Sequence, residues 1–304
     1  MVKEKADAAE AGKQDLKKYA EAGRIAKELL ALARKKAKVG GSLLALANEI
    51  ETETIKLGGK PAFPVNLSLN EEAAHRTPTI GDKLAITEKD VLKVDVGVHV
   101  DGFIADCAIT LDFSGQNGKL IEASERALQN ALAVMRAGTP VKKIGEEIKR
   151  TIEGYGFKPV KNLCGHSLAE YGLHAGEEIP NVPRGEYVLE EGDVFAVEPF
   201  ATPGRGEIVE GSVCEIFSLE EEKPVRLPNS RKLLEKISEY EFLPFPKRWL
   251  EKALPQPSLD LALADLKRQG MLRSYPVLLD AGRGLVSQAE TTVVVEKDSV
   301  RAFV

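Results

Sequence analysis

The sequence predicts an α+β fold of two related halves that face one another, with a small helical subdomain inserted late in the chain. Three observations predict it. Residues 39–61 lie over 137–159 at a constant offset of 98, matching Gly40 with Gly138, Glu49 with Glu147, Ile50 with Ile148 and Gly58 with Gly156, until Lys60-Pro61 falls on Lys158-Pro159. Residues 86–95 lie over 189–198 at an offset of 103, and each β-rich run ends on a carboxylate, Asp95 or Glu198. Residues 208–272 break the pattern with helical segments separated by Pro244, Pro246, Pro255 and Pro257. Two ungapped matches in the same order make duplication a better explanation than chance identity among common residues.

The first half opens with an amphipathic helix over about 15–37. A second follows where Leu43, Leu46, Ala47, Ile50 and Leu57 recur at helical spacing, with Ser42 as N-cap and Gly58-Gly59 as the stop. The second half repeats this pair at 118–137 and then through Val141, Ile144, Ile148, Ile152 and Tyr155. Between the pairs, strand-forming runs at 91–100 and 103–111 flank Asp101-Gly102, a strong two-residue hairpin signal. Within the insertion, 230–240 and 258–269 read as helices. Strand character returns at Tyr275-Pro-Val-Leu278 and over 291–295. The expected organisation is one main unit, 1–207 with 273–304, interrupted by a helical subdomain, 208–272.

Composition narrows the function classes. The 304 residues are 43% apolar, enough for a substantial core, and carry a formal charge of −5. The lysines at 3, 5, 13, 17 and 18 are interleaved with acids and alanines, so specific nucleic-acid binding is not expected. Cys107, Cys164 and Cys214 are odd in number and widely spaced, which fits reduced thiols and a cytoplasmic setting. No apolar run approaches the roughly 20 residues that span a bilayer, and no membrane attachment is expected.

The hairpin carries the first chemical signal. Its turn sets residue 97 opposite 106 and 95 opposite 108, so Asp95 and Asp106 are diagonal neighbours on one face, and Gly97 leaves the space opposite Asp106 empty. A single strand aspartate is ordinarily a surface residue. Two among apolar residues would raise each other's pKa unless cations neutralise them. The duplication sets Glu198 at the position equivalent to Asp95. His166 and His174 sit in Cys164-Gly-His-Ser-Leu-Ala-Glu-Tyr-Gly-Leu-His-Ala-Gly176, where small neighbours leave room for an ion or a substrate. A lone histidine is more often structural, and His99 has no catalytic role to argue.

Together with these residues, Lys60-Pro-Ala-Phe-Pro-Val-Asn-Leu-Ser68, Ala74-His75, Val94-Asp-Val-Gly97, Asp101-Gly-Phe-Ile-Ala-Asp106, Gly165-His166, Leu173-His-Ala-Gly176 and Glu198-Pro-Phe200 resemble the motifs of the type II methionine aminopeptidases, in order and in spacing. The resemblance runs from about residue 20 to the C-terminus. It implies the pita-bread fold with its pseudo-two-fold axis, and a winged-helix-like build for the insertion. Carried over, it makes Asp95, Asp106, His166, Glu198 and Glu290 the ligands of two divalent cations, with Asp106 and Glu290 bridging. The ions are drawn from Co, Mn, Fe, Zn and Ni, since mixed carboxylate and imidazole ligands accept several metals. Catalysis then falls to Glu198 as general base, with His75 and His174 contacting the peptide and stabilising charge on its carbonyl. Phe63, Leu173 and Tyr275 are implied to line a methionine pocket.

The implied activity is removal of the initiator methionine from nascent chains with a small, uncharged second residue. A monomer in transient contact with the ribosome is implied as well. Two rival readings share the fold: a proline-directed aminopeptidase or prolidase, and a non-catalytic ribosome- or nucleic-acid-binding protein. One departure stands out. Ala289-Glu290-Thr291-Thr292 replaces the family's usual Phe-Glu-His-Thr, which is expected to widen the cleft or alter metal affinity.

Overall fold

The structure, a computed structural model, describes residues 2–304, with side chains from Asp15 onward. The lysines at 3, 5 and 13 lie outside the described side chains. Helix α1 (Val2–Lys36) is followed by α2 (Leu43–Lys56), whose first turn is capped by Ser42 Oγ accepting from the Ala45 N–H at 3.3 Å. The second pair, α3 (Gly118–Val134) and α4 (Val141–Gly154), repeats this arrangement.

The duplication is visible at atomic detail. The α2 and α4 limits, and the short strands Lys60–Pro61 and Lys158–Pro159, differ by the same offset that the sequence predicts. Gly40 and Gly138 take matching left-handed angles, φ 80° and 83°, which only glycine adopts without strain. Their N–H groups donate to equivalent carbonyls, Ile86 at 2.7 Å and Leu189 at 2.8 Å. Ahead of each central strand an aspartate accepts from the backbone three residues back: Thr87 N–H to Asp90 at 2.7 Å and Glu190 N–H to Asp193 at 2.8 Å.

The central strand of the first half, Val91–Val100, pairs with Phe103–Asp112 on one side and with Lys60–Pro61 and Asn66–Leu69 on the other. Val94, Val96 and Val98 pack under α1 and α2 against Ile25, Leu29 and Ile50. Side chains alternate along a strand, so Asp95 and Gly97 face the other way. In the second half Phe195 and Val197 pack against Ile144 and Ile148 of α4. Glu198, in step with Ala196, again faces away from the helices. Each large aliphatic side chain buried in these layers contributes roughly 1.5–3 kcal/mol. Many together hold the strands under a face of carboxylates, where each isolated buried charge costs several kcal/mol.

The pseudo-symmetry is incomplete. Asp95 lies in mid-strand, whereas Glu198 stands just past the end of Val194–Val197. The expectation that both acids end their strands is therefore corrected for Asp95. The Asp101-Gly102 turn, with φ 49° and 90°, keeps the first strand paired through Val100, while Pro199 has no N–H to extend the second.

The stretch expected to be helical from 208 opens instead with a long strand, Ile208–Leu219, paired with Leu272–Asp280. Its β-branched and alternating residues favour a sheet, and it joins the insertion to the main unit. Helices α5 (Pro228–Ser238) and α6 (Gln256–Arg268) each begin two residues earlier than expected, because a proline fits the first helical turn where its missing N–H is harmless. They pack Leu233, Ile237, Leu259 and Leu266 over Phe217 and Phe245. A buried clasp ties this segment to α2: Arg248 pairs with Glu51 and donates to Thr77 Oγ1 at 2.8 Å, and Trp249 Nε1 donates to Glu51 at 2.8 Å. Glu51 also accepts from the Val65 N–H at 3.2 Å, which fixes the segment between Phe63 and Asn66.

Candidate metal centre

Across the hairpin Gly97 pairs with Asp106 and Asp95 with Ala108, as the turn dictates. The Asp106 backbone is gripped by Thr292, whose hydroxyl accepts from its N–H at 2.7 Å and donates to its carbonyl at 2.9 Å. An isolated bridge between Ala108 and Glu290 joins the two halves beside this grip. His166 enters from the strand Cys164–Ser167, where Gly165 lets the backbone approach Ala196: a Cβ there would lie 2.3 Å from the Ala196 carbonyl oxygen.

Five widely separated residues thus converge. His166 Nε2 lies 3.6 Å from Asp106 Oδ2 and 3.9 Å from Glu198 Oε1. Asp106, His166 and Glu290, all buried, each offer a ligand atom within 4.8 Å of the others. Asp95 Oδ1, Asp106 Oδ1 and His166 Nδ1 are buried without a hydrogen-bond partner among the described residues. Burial raises the pKa of all four carboxylates, and their mutual charges raise Asp106, Glu198 and Glu290 further. Burial pushes the His166 imidazole down to about 3, leaving it neutral and able to donate a lone pair. Unsatisfied oxygens, a neutral imidazole and repelling acids fit a divalent cation, which would satisfy the lone pairs and remove the repulsion.

These residues line a cavity of about 180 Å³ together with Phe63, His75, Leu173, His174 and Tyr275, so the structure brings all ten expected site positions to one place. The His166 and His174 rings are 4.3 Å apart. His75 has φ 64°, a left-handed conformation that costs a non-glycine residue roughly 1–2 kcal/mol. It is held there by Nδ1 at 3.2 Å from the Pro276 carbonyl and by edge-on contact with the Tyr275 ring at 5.6 Å. Burial lowers the His75 pKa to about 4. His99 lies elsewhere, accepting from the Gly102 N–H through Nδ1 at 3.1 Å.

Sequence reasoning missed several neighbours. Asn66 pairs with Asp95 across the adjoining strand, and Ile216 and Pro244 close the cavity from the inserted segment. Gln288, fully buried, donates through Nε2 to Glu290 Oε2 at 3.1 Å. Only Gln288 carried a usable signal, being two residues from Glu290 and so on the same face of an extended chain. The space at Gly97 is not empty. The Phe63 ring fills it. Ala289 and Thr291 do not line the cavity; they face a separate groove of about 590 Å³ between α1 and α3. Alternation about Glu290 sends their side chains outward, so the missing aromatic does not widen the cleft.

A sequence profile described as metallopeptidase family M24 matches residues 17–226, stopping where the inserted helices begin. The methionine aminopeptidase of Pyrococcus horikoshii is 50% identical over 289 residues, covering 94% of this chain and 98% of that protein. That of Methanocaldococcus jannaschii is 42% identical over 285 residues, covering 93% and 96%. Among solved structures, a thermophilic Arx1 superposes with a TM-score of 0.84 at 18% identity, over 95% of this chain and 90% of that one. A Rickettsia prowazekii methionine aminopeptidase gives 0.70 at 19%, over 96% and 97%. At these identities the structural matches show the pita-bread fold alone. The length and identity of the archaeal matches decide membership: the chain belongs to metallopeptidase family M24, among the methionine aminopeptidases.

Proposed function

We propose that the chain removes the initiator methionine from nascent proteins whose second residue is small and uncharged, using two divalent cations held by Asp95, Asp106, His166, Glu198 and Glu290. The observation that carries this reading is the single cavity that holds all five of these side chains, both histidines and an apolar wall of Phe63, Leu173 and Tyr275. Bound divalent cations would supply a water of lowered pKa and a Lewis acid for the peptide carbonyl.

The protein's own groups do the rest. Glu198 takes a proton from the attacking water and returns it to the leaving amine. His174, exposed at the opening, donates a hydrogen bond to the charge that develops on the scissile carbonyl oxygen, and His75 contacts the substrate peptide. His75 is neutral at physiological pH, so its one N–H, on Nδ1, goes to the Pro276 carbonyl and its free Nε2 accepts from a substrate N–H. Phe63, Leu173 and Tyr275 exclude water from the methionine side chain.

We read the chain as a cytoplasmic monomer that meets its substrates transiently at the ribosome. Three free cysteines support a reducing compartment, and among the described residues no helix is long and apolar enough to cross a membrane. The inserted helices are read as a winged-helix-like subdomain that roofs the cavity through Pro244. The deciding experiment assays Met-Ala-Ser beside an Xaa-Pro peptide, with elemental analysis of the purified protein. Cleavage of Met-Ala-Ser with two equivalents of metal is expected; cleavage of the Xaa-Pro peptide alone would overturn the substrate assignment.

A further inference from the structure

His174 is the exposed residue of the 180 Å³ cavity's lining, so the cavity meets solvent beside it, and half-buried Tyr275 is one of the partly exposed residues of the same lining. On the regular part of the strand pair, Tyr275 lies opposite Ile216 and Arg273 opposite Ser218, one step further from the cavity on the same face. The Arg273 guanidinium stands over the Tyr275 ring, 5.2 Å from its centroid, and the Tyr275 hydroxyl meets Ser218 Oγ at 3.2 Å. Arg273 is exposed, and no ion pair among the described residues neutralises it. Two arginines next to cavity-lining residues have acidic partners, Arg184 beside Cys164 with Glu178 at 3.7 Å and Arg76 after His75 with Glu72 at 3.2 Å. Arg273 therefore stands beside Tyr275 with no acid within ion-pairing distance among the described residues. Its field reaches inward: after burial, the charges of His174 and Arg273 both oppose protonation of His75.

We propose that Arg273 is a specificity residue that reads the charge of the substrate residues following the second position, favouring acidic over basic chains. The proposal rests on the methionine-removal reading of this site. The chain leaving the cavity passes the stacked Tyr275–Arg273 pair, where a carboxylate three residues from the N-terminus meets the guanidinium and an ammonium is repelled. An exposed pairing of this kind changes binding by roughly two- to fivefold at low salt. It fades as the screening length shortens to about 3 Å near 1 M salt.

The test compares kcat/KM for Met-Ala-Glu-Ser and Met-Ala-Lys-Ser, with Met-Ala-Ser alongside, in wild type, Arg273→Gln and Arg273→Glu. The Glu-to-Lys ratio cancels any uniform loss of activity in a variant. It should exceed one in wild type by roughly two- to fivefold, fall to about one in Arg273→Gln, invert in Arg273→Glu, and lose its size in high salt. If Met-Ala-Ser is cleaved but the ratio is the same in wild type and Arg273→Glu, the role of Arg273 is overturned. If wild type with metal leaves Met-Ala-Ser whole, the methionine reading fails and this assignment fails with it.

Discussion

The ring of Phe63 stands where a side chain at Gly97 would go: a Cβ on Gly97 would lie 2.1 Å from Phe63 Cε1 and 2.4 Å from Cδ1. Gly97 also faces Asp106 across the hairpin, so one glycine lets an apolar wall and a carboxylate share the same few ångströms. Gly97→Ala should force Phe63 out of place. Overpacking of this kind costs about 1–3 kcal/mol. The unfolding midpoint should fall and KM for methionine peptides should rise more than kcat drops. An unchanged KM would show that Phe63 is not part of the pocket.

Glu198→Gln keeps the size of the side chain and removes the base. General-base catalysis supplies roughly 10²–10⁴-fold, so kcat at saturating metal should fall at least that far. Glu186→Gln, on an exposed loop before the same strand, should leave turnover nearly unchanged. Metal content and unfolding midpoint are measured for both variants, and near wild-type kcat in Glu198→Gln would refute the proton-transfer role.

Chelation should abolish turnover, and a divalent transition metal should restore it. It should also destabilise the fold, because the carboxylates around His166 lose the cation that offsets their repulsion. Binding to the native state alone is worth about 2.7 kcal/mol at a hundredfold excess over Kd. Thermal melting with and without metal checks this; equal midpoints alongside confirmed metal loss would contradict it.

His99 provides a pH test away from the cavity. Its folded pKa is lowered to about 4, by burial first and then by the charge of Lys60. The unfolded chain titrates near 6.5. Between these values the unfolded state binds the extra proton, so the stability that His99 contributes is full above about pH 6.5 and is lost as pH falls toward 4. The difference in unfolding free energy between wild type and His99→Gln should shrink over that window. A difference that stays constant would mean that His99 titrates normally.

Ala289→Phe separates the groove from the cleft. Because Ala289 faces the space between α1 and α3, the ring should fill that space. Cavity-filling substitutions commonly add about 0.5–2 kcal/mol. The unfolding midpoint should rise while the preference for Met-Ala over Met-Leu stays as in wild type. A changed preference would put position 289 back in the cleft.

Much of this molecule is determined by the sequence on its own. The repeated helix, glycine and Lys-Pro pattern specifies two halves, because 3.6-residue periodicity and left-handed glycines leave few other local structures. The Asp101-Gly102 turn sets the register that puts Asp95 and Asp106 on one face, since pairing across a two-residue turn admits no slip without turning every valine outward. Residues 208–219 are not determined locally, because strand or helix there depends on a partner some sixty residues away, at 272–280.

Only the tertiary structure decided what fills the space between the elements. Phe63 over Gly97, Gln288 on Glu290, and Ile216 and Pro244 closing the cavity are contacts between distant segments, and no local propensity encodes them. The same holds for the direction in which Ala289 and Thr291 point. A side chain's meaning there depends on which face the packed halves turn toward the cavity, and that is set by burial of the valine faces under the helices rather than by the residues themselves.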